Sequence, residues 1–367
     1  MTVSHQNASP MFDRDRPHND LPPLPPAAEV ETTAILKKAI SASRALAELK
    51  GMAERMPNQA MLIDSLVLQE ARASSEIENI LTTNDELFKA ASDEAQPAGA
   101  EAKEVLRYRQ ALNHGFRAIQ KRPLATGLFI EIAQRIKQTD FNVRRTPGTR
   151  IANSSGETIY TPPEGEAVIR DKLRDLENFM HADDGLDVLV KMALVHYQFE
   201  AIHPFPDGNG RTGRILNILY LVDRGLLNLP VLYLSRYIIE HKAAYYEGLR
   251  RVTEEGAWGD WVFYMLDAVE QTSLRTRQQI LDILALMETV RERVQREAPS
   301  VYSKDLIEQI FHQPYCKTSF LEQASLGTRQ TCAKYLRELE RMGVLQSKKF
   351  GRELYFVNTA LFDLLTR

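Results

Sequence analysis

The sequence predicts a mainly α protein that carries one β-hairpin and ends in a small α+β domain. Three observations predict it. Apolar residues recur at three- and four-residue intervals from about residue 30 to about 297, the period of an amphipathic helix. The stretch RRTPGTRIANSSGETIYTPPEGEAV, residues 144–168, interrupts that pattern with Gly, Pro, Ser and Thr around short β-prone pieces. The final stretch changes again: SKDLIEQIF, SFLEQA and GTRQTCAKYLRELERMG read as three helices, and VLQSKK and ELYFVN flank a Gly-containing turn. Three helices followed by a β-hairpin is a winged-helix pattern.

Taken in order, residues 1–29 are rich in Pro, Asp and Asn and read as a disordered or extended, surface-hugging leader. Residues 30–100 form an N-terminal helical region, with Ile35, Ile40, Leu46, Leu62, Leu66, Ile77 and Leu81 on its apolar stripes. Thr83 with Glu86 is a capping-box pair that opens a short helix, and SDEAQPAGA, 92–100, is a loop. A core unit spans 101–275. It starts with helices at about 101–121 and 125–138, then a hairpin of Thr149–Ala152 and Thr158–Thr161 around Asn153-Ser-Ser-Gly156. Helices at 166–181, 186–200 and 211–224 follow, then a connecting helix at 276–297 and the winged-helix domain at 298–367.

Composition narrows the function classes. A formal net charge of −3 with 44% hydrophobic and 26% charged residues gives no global attraction to nucleic acid or anionic membrane. No apolar run approaches the roughly 20 residues of a membrane span. The N-terminus lacks an apolar signal region. Only Cys316 and Cys332 are present, far apart, so structural disulfides and thiolate zinc sites are not expected and a cytoplasmic location is. His312 and Cys316 are read as structural, not as metal ligands.

The chemistry concentrates in HPFPDGNGRTGR, residues 203–214. Gly208, Gly210 and Gly213 match a dinucleotide-binding spacing, but that fingerprint requires an apolar strand immediately upstream. Here the preceding residues are His-Pro-Phe-Pro-Asp, whose prolines remove ladder donors, and the segment before them is helical. A P-loop is excluded because no Gly-Lys-Ser/Thr follows. What remains is an anion site at the entry of a helix. Glycines allow close backbone approach, and N–H groups converge with the positive helix end. Arg211 and Arg214, three apart, can hold phosphate oxygens. Asp207 is a hard oxygen ligand suited to Mg²⁺ between phosphates, and His203 can accept a proton near neutral pH.

The same residues resemble the Fic family motif, His-x-Phe-x-Asp/Glu-Gly-Asn-Gly-Arg-x-x-Arg, at every specified position. SSEIEN, with Ser74 and Glu78, resembles the family's inhibitory-helix pattern in its N-terminal arrangement; LSRYIIEHKAAYYEGL resembles its Tyr-Tyr segment. The resemblance runs from roughly 30 to 275 and implies a helical Fic-type core with a β-hairpin flap. It implies AMP transfer from ATP to a Ser, Thr or Tyr hydroxyl of a protein, the enzyme itself included. In that reading His203 is the general base, Phe205 anchors the loop, and Asp207 ligates Mg²⁺. Gly208, Asn209 and Gly210 form the anion hole, and Arg211, Thr212, Gly213 and Arg214 continue the nucleotide site. The hairpin at about 150–163 is the flap that clamps the target segment, with Thr158, Ile159 and Tyr160 near the nucleotide and Tyr246 on the adenine side. Where some relatives have Asn seven positions after that Tyr, this chain has Thr253.

Ser74 and Glu78, four apart, share a helix face. A carboxylate delivered to Arg214 would occupy the arginine meant for the γ-phosphate. A charged hydrogen bond contributes about 1.5–3 kcal/mol, so the restraint is on the order of 10- to 150-fold.

Residues 298–367 hold ten Lys and Arg against seven Asp and Glu. Arg329, Lys334 and Arg337 fall on the third helix and Lys348, Lys349 and Arg352 on or beside the wing, with Glu338 and Glu340 interleaved. A homodimer, and contact of the winged helix with DNA or a second protein, stand as partners to test. Two readings compete with a self-restrained adenylyltransferase: another nucleotidyl or phosphoryl transferase on the same scaffold, and a DNA-binding regulator with a nucleotide-sensing core.

Overall fold

The computed structural model describes residues 12–56, 59–92, 99–153, 155–350 and 353–366, without the side chains of 60–64. The start of the leader, the side chain of Leu62 of the N-terminal stripe, most of the 92–100 loop, Ser154 of the hairpin turn and the Gly351-Arg352 turn lie outside what is described.

Helix α1 (Thr33–Glu54) starts at Thr32, whose hydroxyl accepts from the Ile35 amide at 3.3 Å. Its buried stripe, Ile35, Ala39, Ala42, Leu46 and Leu49, lies along α11 (Trp258–Glu297). Ile40 is on the opposite face and is 53% exposed, and Leu81 is 66% exposed, so neither joins the core as periodicity suggested. The 40 residues of α11 span about 60 Å at 1.5 Å per residue. They form one continuous helix through the boundary expected at 275/276, carrying the chain from the core to the C-terminal domain.

α2 (Gln59–Ile77) packs against α4 (Ala100–Ile119) and α9 (Leu234–Glu240). α3 (Asn84–Ser92) opens as anticipated, with the Glu86 amide donating to the Thr83 hydroxyl at 3.2 Å. The Glu86 carboxylate does not close the capping box; it accepts from the Gly99 amide at 3.2 Å, across the loop. After α5 (Thr126–Lys137), strands β1 (Ile151–Ala152) and β2 (Thr158–Tyr160) pair antiparallel with an irregularity after Ile151. Asn153 shapes the turn, its Oδ1 accepting from the amides of Ser155 and Glu157.

α6 (Glu166–His181) flanks α7 (Val188–Ile202), which is buried almost all round, as is α8 (Asn209–Asp223). Such helices belong at the centre of a domain. α4 and α5 cover α8, α6 and α11 cover α7, and α10 (Lys242–Glu255) lies against α11. Residues 12–29 run over this core without helix or strand, through short turns such as Asp13–Arg16 and His18–Leu21. Leu21 is buried, Gln198 donates to the Pro22 carbonyl at 2.8 Å, and Phe12 stacks on Tyr160 of β2 at 5.9 Å.

The C-terminal domain comprises α12 (Lys304–His312), β3 (Tyr315–Cys316), α13 (Thr318–Gln323), α14 (Arg329–Arg341), β4 (Gln346–Phe350), β5 (Glu353–Val357) and α15 (Thr359–Thr366). Its antiparallel sheet has the order β3-β5-β4. β3 and α15 are additions to the three helices and hairpin read from the sequence. Strand β3 is only two residues long, too short for a periodic signal. The domain packs on the N-terminal helices: Phe362 meets Phe88 edge-on at 5.7 Å, and the Tyr315 hydroxyl donates to Asp85. Among the described residues no helix is long and apolar enough to cross a membrane.

Candidate active site

The 203–214 motif is the junction between the two buried helices α7 and α8. His203 caps α7 in the left-handed region at φ 48°, and Gly208 turns into α8 at φ 78°, a conformation that favours glycine. Phe205 is fully buried, its ring between Phe141 and Phe199 at about 6 Å. The Asn209 side chain pairs with both backbone groups of Phe205, accepting from its amide and donating to its carbonyl at 2.8 Å each. Asn209 therefore spends its amide on shaping the loop.

His203 lines a cavity of about 200 Å³ together with Arg214, Gly210, Glu78, Tyr246 and Ile159. Tyr160, Tyr245 and Thr253 also line it; Thr158, Thr212 and Gly213 do not. Thr253 is engaged with the Tyr197 hydroxyl at 2.9 Å. Burial, aided by the nearby positive charge of Arg144, pushes the His203 imidazole down to about 4. The ring is neutral at pH 7, and its buried Nδ1 has no hydrogen-bond partner among the described residues.

Arg214 is 1% exposed and fully engaged. Its Nε donates to the Ser74 hydroxyl at 2.8 Å, and one terminal nitrogen donates to the Ser74 carbonyl at 2.9 Å and to Glu78 Oε1 at 2.8 Å. Burial alone would make the Glu78 carboxyl a weaker acid, but the Arg214 charge outweighs it and holds Glu78 below the ordinary carboxylate range. A Cβ at Gly210 would collide with this Glu78 oxygen, so the close approach requires glycine there.

Ser74 and Glu78 are one- and two-turn neighbours of Glu70, which the sequence reading passed over. The buried Glu70 carboxylate accepts from the Tyr108 hydroxyl at 3.0 Å and from the Ser235 amide at 2.9 Å, fixing α2 to α4 and α9. Lys242, at the start of α10, donates to the Ile77 carbonyl at 2.7 Å and closes the last turn of α2.

At the other end of the motif a second cavity contains Asp207, Arg211, Glu104 and Lys137. Lys137 meets Asp207 Oδ2 at 2.6 Å, and Arg211 meets Glu104 at 2.7 Å. Asp207 Oδ1 accepts from the Gly208 amide at 2.5 Å. The Lys137 ammonium and the backbone donor offset burial and keep the Asp207 carboxyl below its usual range.

Reading the sequence also passed over Glu200, Lys137 and Glu104. Glu200 is three residues before His203, so helical spacing alone could have placed it one turn away at the same cavity. Burial pushes its carboxyl up to about 7, with Arg214 opposing and Glu78 adding to the shift. Glu104 and Lys137 come from separate helices, and no local pattern marks them.

Residues 36–117 match the Fic/DOC family N-terminal domain, and residues 286–361 match the C-terminal domain of SoFic-like protein adenylyltransferases. A probable protein adenylyltransferase of Aquifex aeolicus is 31% identical over 180 residues, 48% of this chain and 54% of that protein. Protein adenylyltransferase fic-1 of Caenorhabditis elegans is 34% identical over 92 residues, 24% of this chain and 17% of that protein. The chain thus matches about half the length of the first relative and less of the second. A crystal structure of a Fic family protein from Desulfovibrio desulfuricans superposes with a TM-score of 0.55 at 20% identity, covering 90% of this chain and 97% of that one. A fragment of C. elegans Fic-1 gives 0.52 at 19% identity, covering 70% of this chain and 76% of that one, and these likenesses establish the shared fold. With an N-terminal region matched to the Fic/DOC family, a C-terminal region matched to SoFic-like protein adenylyltransferases and the fold shared over nearly the whole chain, this protein has a Fic-type fold and is similar in sequence to protein adenylyltransferases.

Proposed function

We propose that this chain transfers AMP from ATP to a hydroxyl of a protein target and is restrained by its own Glu78. One observation carries the reading: a neutral His203 and the cation Arg214 face one cavity, and Arg214 is already held by a carboxylate from the turn that ends α2. His203 would take the proton of the attacking hydroxyl as that oxygen bonds to the α-phosphorus and pyrophosphate leaves. Gly208 and Gly210, with the positive end of α8, would receive the phosphates. Arg211 and Arg214 would hold the outer oxygens after releasing Glu104 and Glu78. The hairpin of β1 and β2 would clamp the target segment, and Tyr246 would flank the base.

The residues at the second cavity fit Mg²⁺. Asp207 offers a carboxylate whose side chain is 60% exposed at the rim, and Mg²⁺ commonly takes one or two carboxylates with phosphates and water. Bound there, the ion would neutralise charge between phosphates, in competition with Lys137.

The donor is tested with ATP labelled at the α- or the γ-phosphate, using wild type, Glu78→Gly and His203→Ala with cell extract as target source. Label on protein from the α-position only, lost in His203→Ala, supports AMP transfer. Label from the γ-position would make the chain a phosphoryl transferase on this scaffold.

A second reading concerns the C-terminal domain, which we read as a winged helix that docks on DNA. Gln330, Lys334, Arg337 and Arg341 lie on one exposed face of α14. The interleaved glutamates are turned to protein partners, Glu338 pairing with Arg341 and Glu340 accepting from the Ser347 amide at 3.1 Å. Fluorescence anisotropy with a labelled duplex should give binding that weakens steeply with salt and is reduced in Lys334→Ala/Arg337→Ala. Salt-independent or absent binding would remove this reading.

A further inference from the structure

A helix leaves its last carbonyls without intrahelical partners, and α7 ends at the residue proposed to do the chemistry. The four consecutive carbonyls from Ala201 to Pro204, at and just beyond this end, are all taken up by Arg144 or by the hairpin. The Ala201 carbonyl accepts from the Tyr160 hydroxyl of β2 at 2.9 Å. The Ile202 carbonyl accepts from an Arg144 terminal nitrogen at 3.3 Å, the His203 carbonyl from Arg144 Nε at 2.7 Å, and the Pro204 carbonyl from the Arg144 amide at 2.9 Å. The same terminal nitrogen also donates to the carbonyl of Pro163, where the chain leaves the hairpin. Arg144 is 4% exposed, and each of these contacts is to a backbone carbonyl or, for its own amide, to one.

We propose that Arg144 is a positioning residue that fastens the hairpin to the catalytic loop and sets the electrostatic environment of His203. A planar guanidinium suits the first task, because its fork spans carbonyls from two chain segments at once. Its charge also sits at the negative end of α7, where a cation is favoured. The second task follows from position: a fixed positive charge beside His203 opposes protonation of the ring, whereas Glu78 and Asp207 favour it, as does the Glu200 carbonyl. This inference rests on reading His203 as the base and the hairpin as the target clamp, but its test does not require transfer.

The experiment compares Arg144→Met, which removes charge and fork, with Arg144→Lys, which keeps the charge and loses the fork. Two readouts are followed on the full chain at matched thermal stability. Tryptic cleavage after Arg150 reports hairpin attachment, and an NMR titration of the His203 imidazole reports its environment. Both variants should be cleaved at least about tenfold faster than wild type. Only Arg144→Met should move the His203 midpoint upward, by about half a pH unit or more, while Arg144→Lys leaves it in place. An unchanged midpoint in Arg144→Met, or wild-type cleavage in Arg144→Lys, would overturn the proposal. Arg144→Lys keeps the cleavage half testable should Arg144→Met fail to fold. Loss of AMP transfer with both readouts as expected would instead count against the proposed function.

Discussion

The two ends of the 203–214 motif are neutralised in different ways. At the Arg214 end the cation is 1% exposed and donates three bonds to Ser74 and Glu78, well over a hundred residues away in the chain. At the Asp207 end the carboxylate is 60% exposed and meets Lys137, itself 25% exposed. Breaking one side of a buried pair is costly, whereas an exposed pair contributes about 0–1 kcal/mol. The end proposed to hold the metal is therefore open to exchange, and the end proposed for the γ-phosphate is closed by a partner built into the fold. The proposed restraint is delivered by α2 and the turn after it, and α2 is pinned by Glu70 and Lys242.

Substitutions should separate the two ends. The largest effect is expected outside both: His203→Ala should cut transfer by about 10²- to 10⁴-fold with an unchanged melting temperature, measured as α-label incorporation. Ser74→Ala removes one of the three bonds to Arg214 and leaves the carbonyl contact, so a gain in transfer of about two- to tenfold is expected. A loss of activity in Ser74→Ala would mean that Ser74 supports the nucleotide and not the restraint. At the open end, Lys137→Met should lower the Mg²⁺ concentration for half-maximal transfer by about fivefold or less. A higher Mg²⁺ requirement would show Lys137 helping the metal end instead of competing there.

The smallest effect is on stability. Glu200 has a folded-state pKa raised to about 7, so the folded state binds its proton more tightly than the unfolded chain does. The associated stability is fully present below the ordinary glutamate value and is lost as pH rises through about 7. Glu200→Gln should therefore melt a few degrees higher than wild type at pH 8, with the difference shrinking toward pH 4. A difference independent of pH would place the effect in packing.

Much of this was legible in the sequence where chemistry and period were local. The motif residues, the hairpin and most helices announce themselves within a dozen positions, and Ser74 and Glu78 share a face by spacing alone. Ile40 and Leu81 misled because periodicity marks a stripe without saying what covers it. Arg144, Glu104 and Lys137 were invisible for a different reason. Each reaches the site from its own segment, and their partners are set by tertiary packing. Glu200 was readable in principle, one turn before His203. Its significance appears only with its burial beside Arg214 and Glu78.

The central claim is that Glu78 withholds Arg214 from the nucleotide. Its most direct test is the initial rate of AMP transfer in Glu78→Gly against wild type at saturating ATP and Mg²⁺, with ATP affinity measured by calorimetry on the same samples. The rate should rise by about 10- to 150-fold, well beyond any change in affinity. Equal rates in the two proteins would contradict the claim and leave the Glu78–Arg214 pair a structural contact.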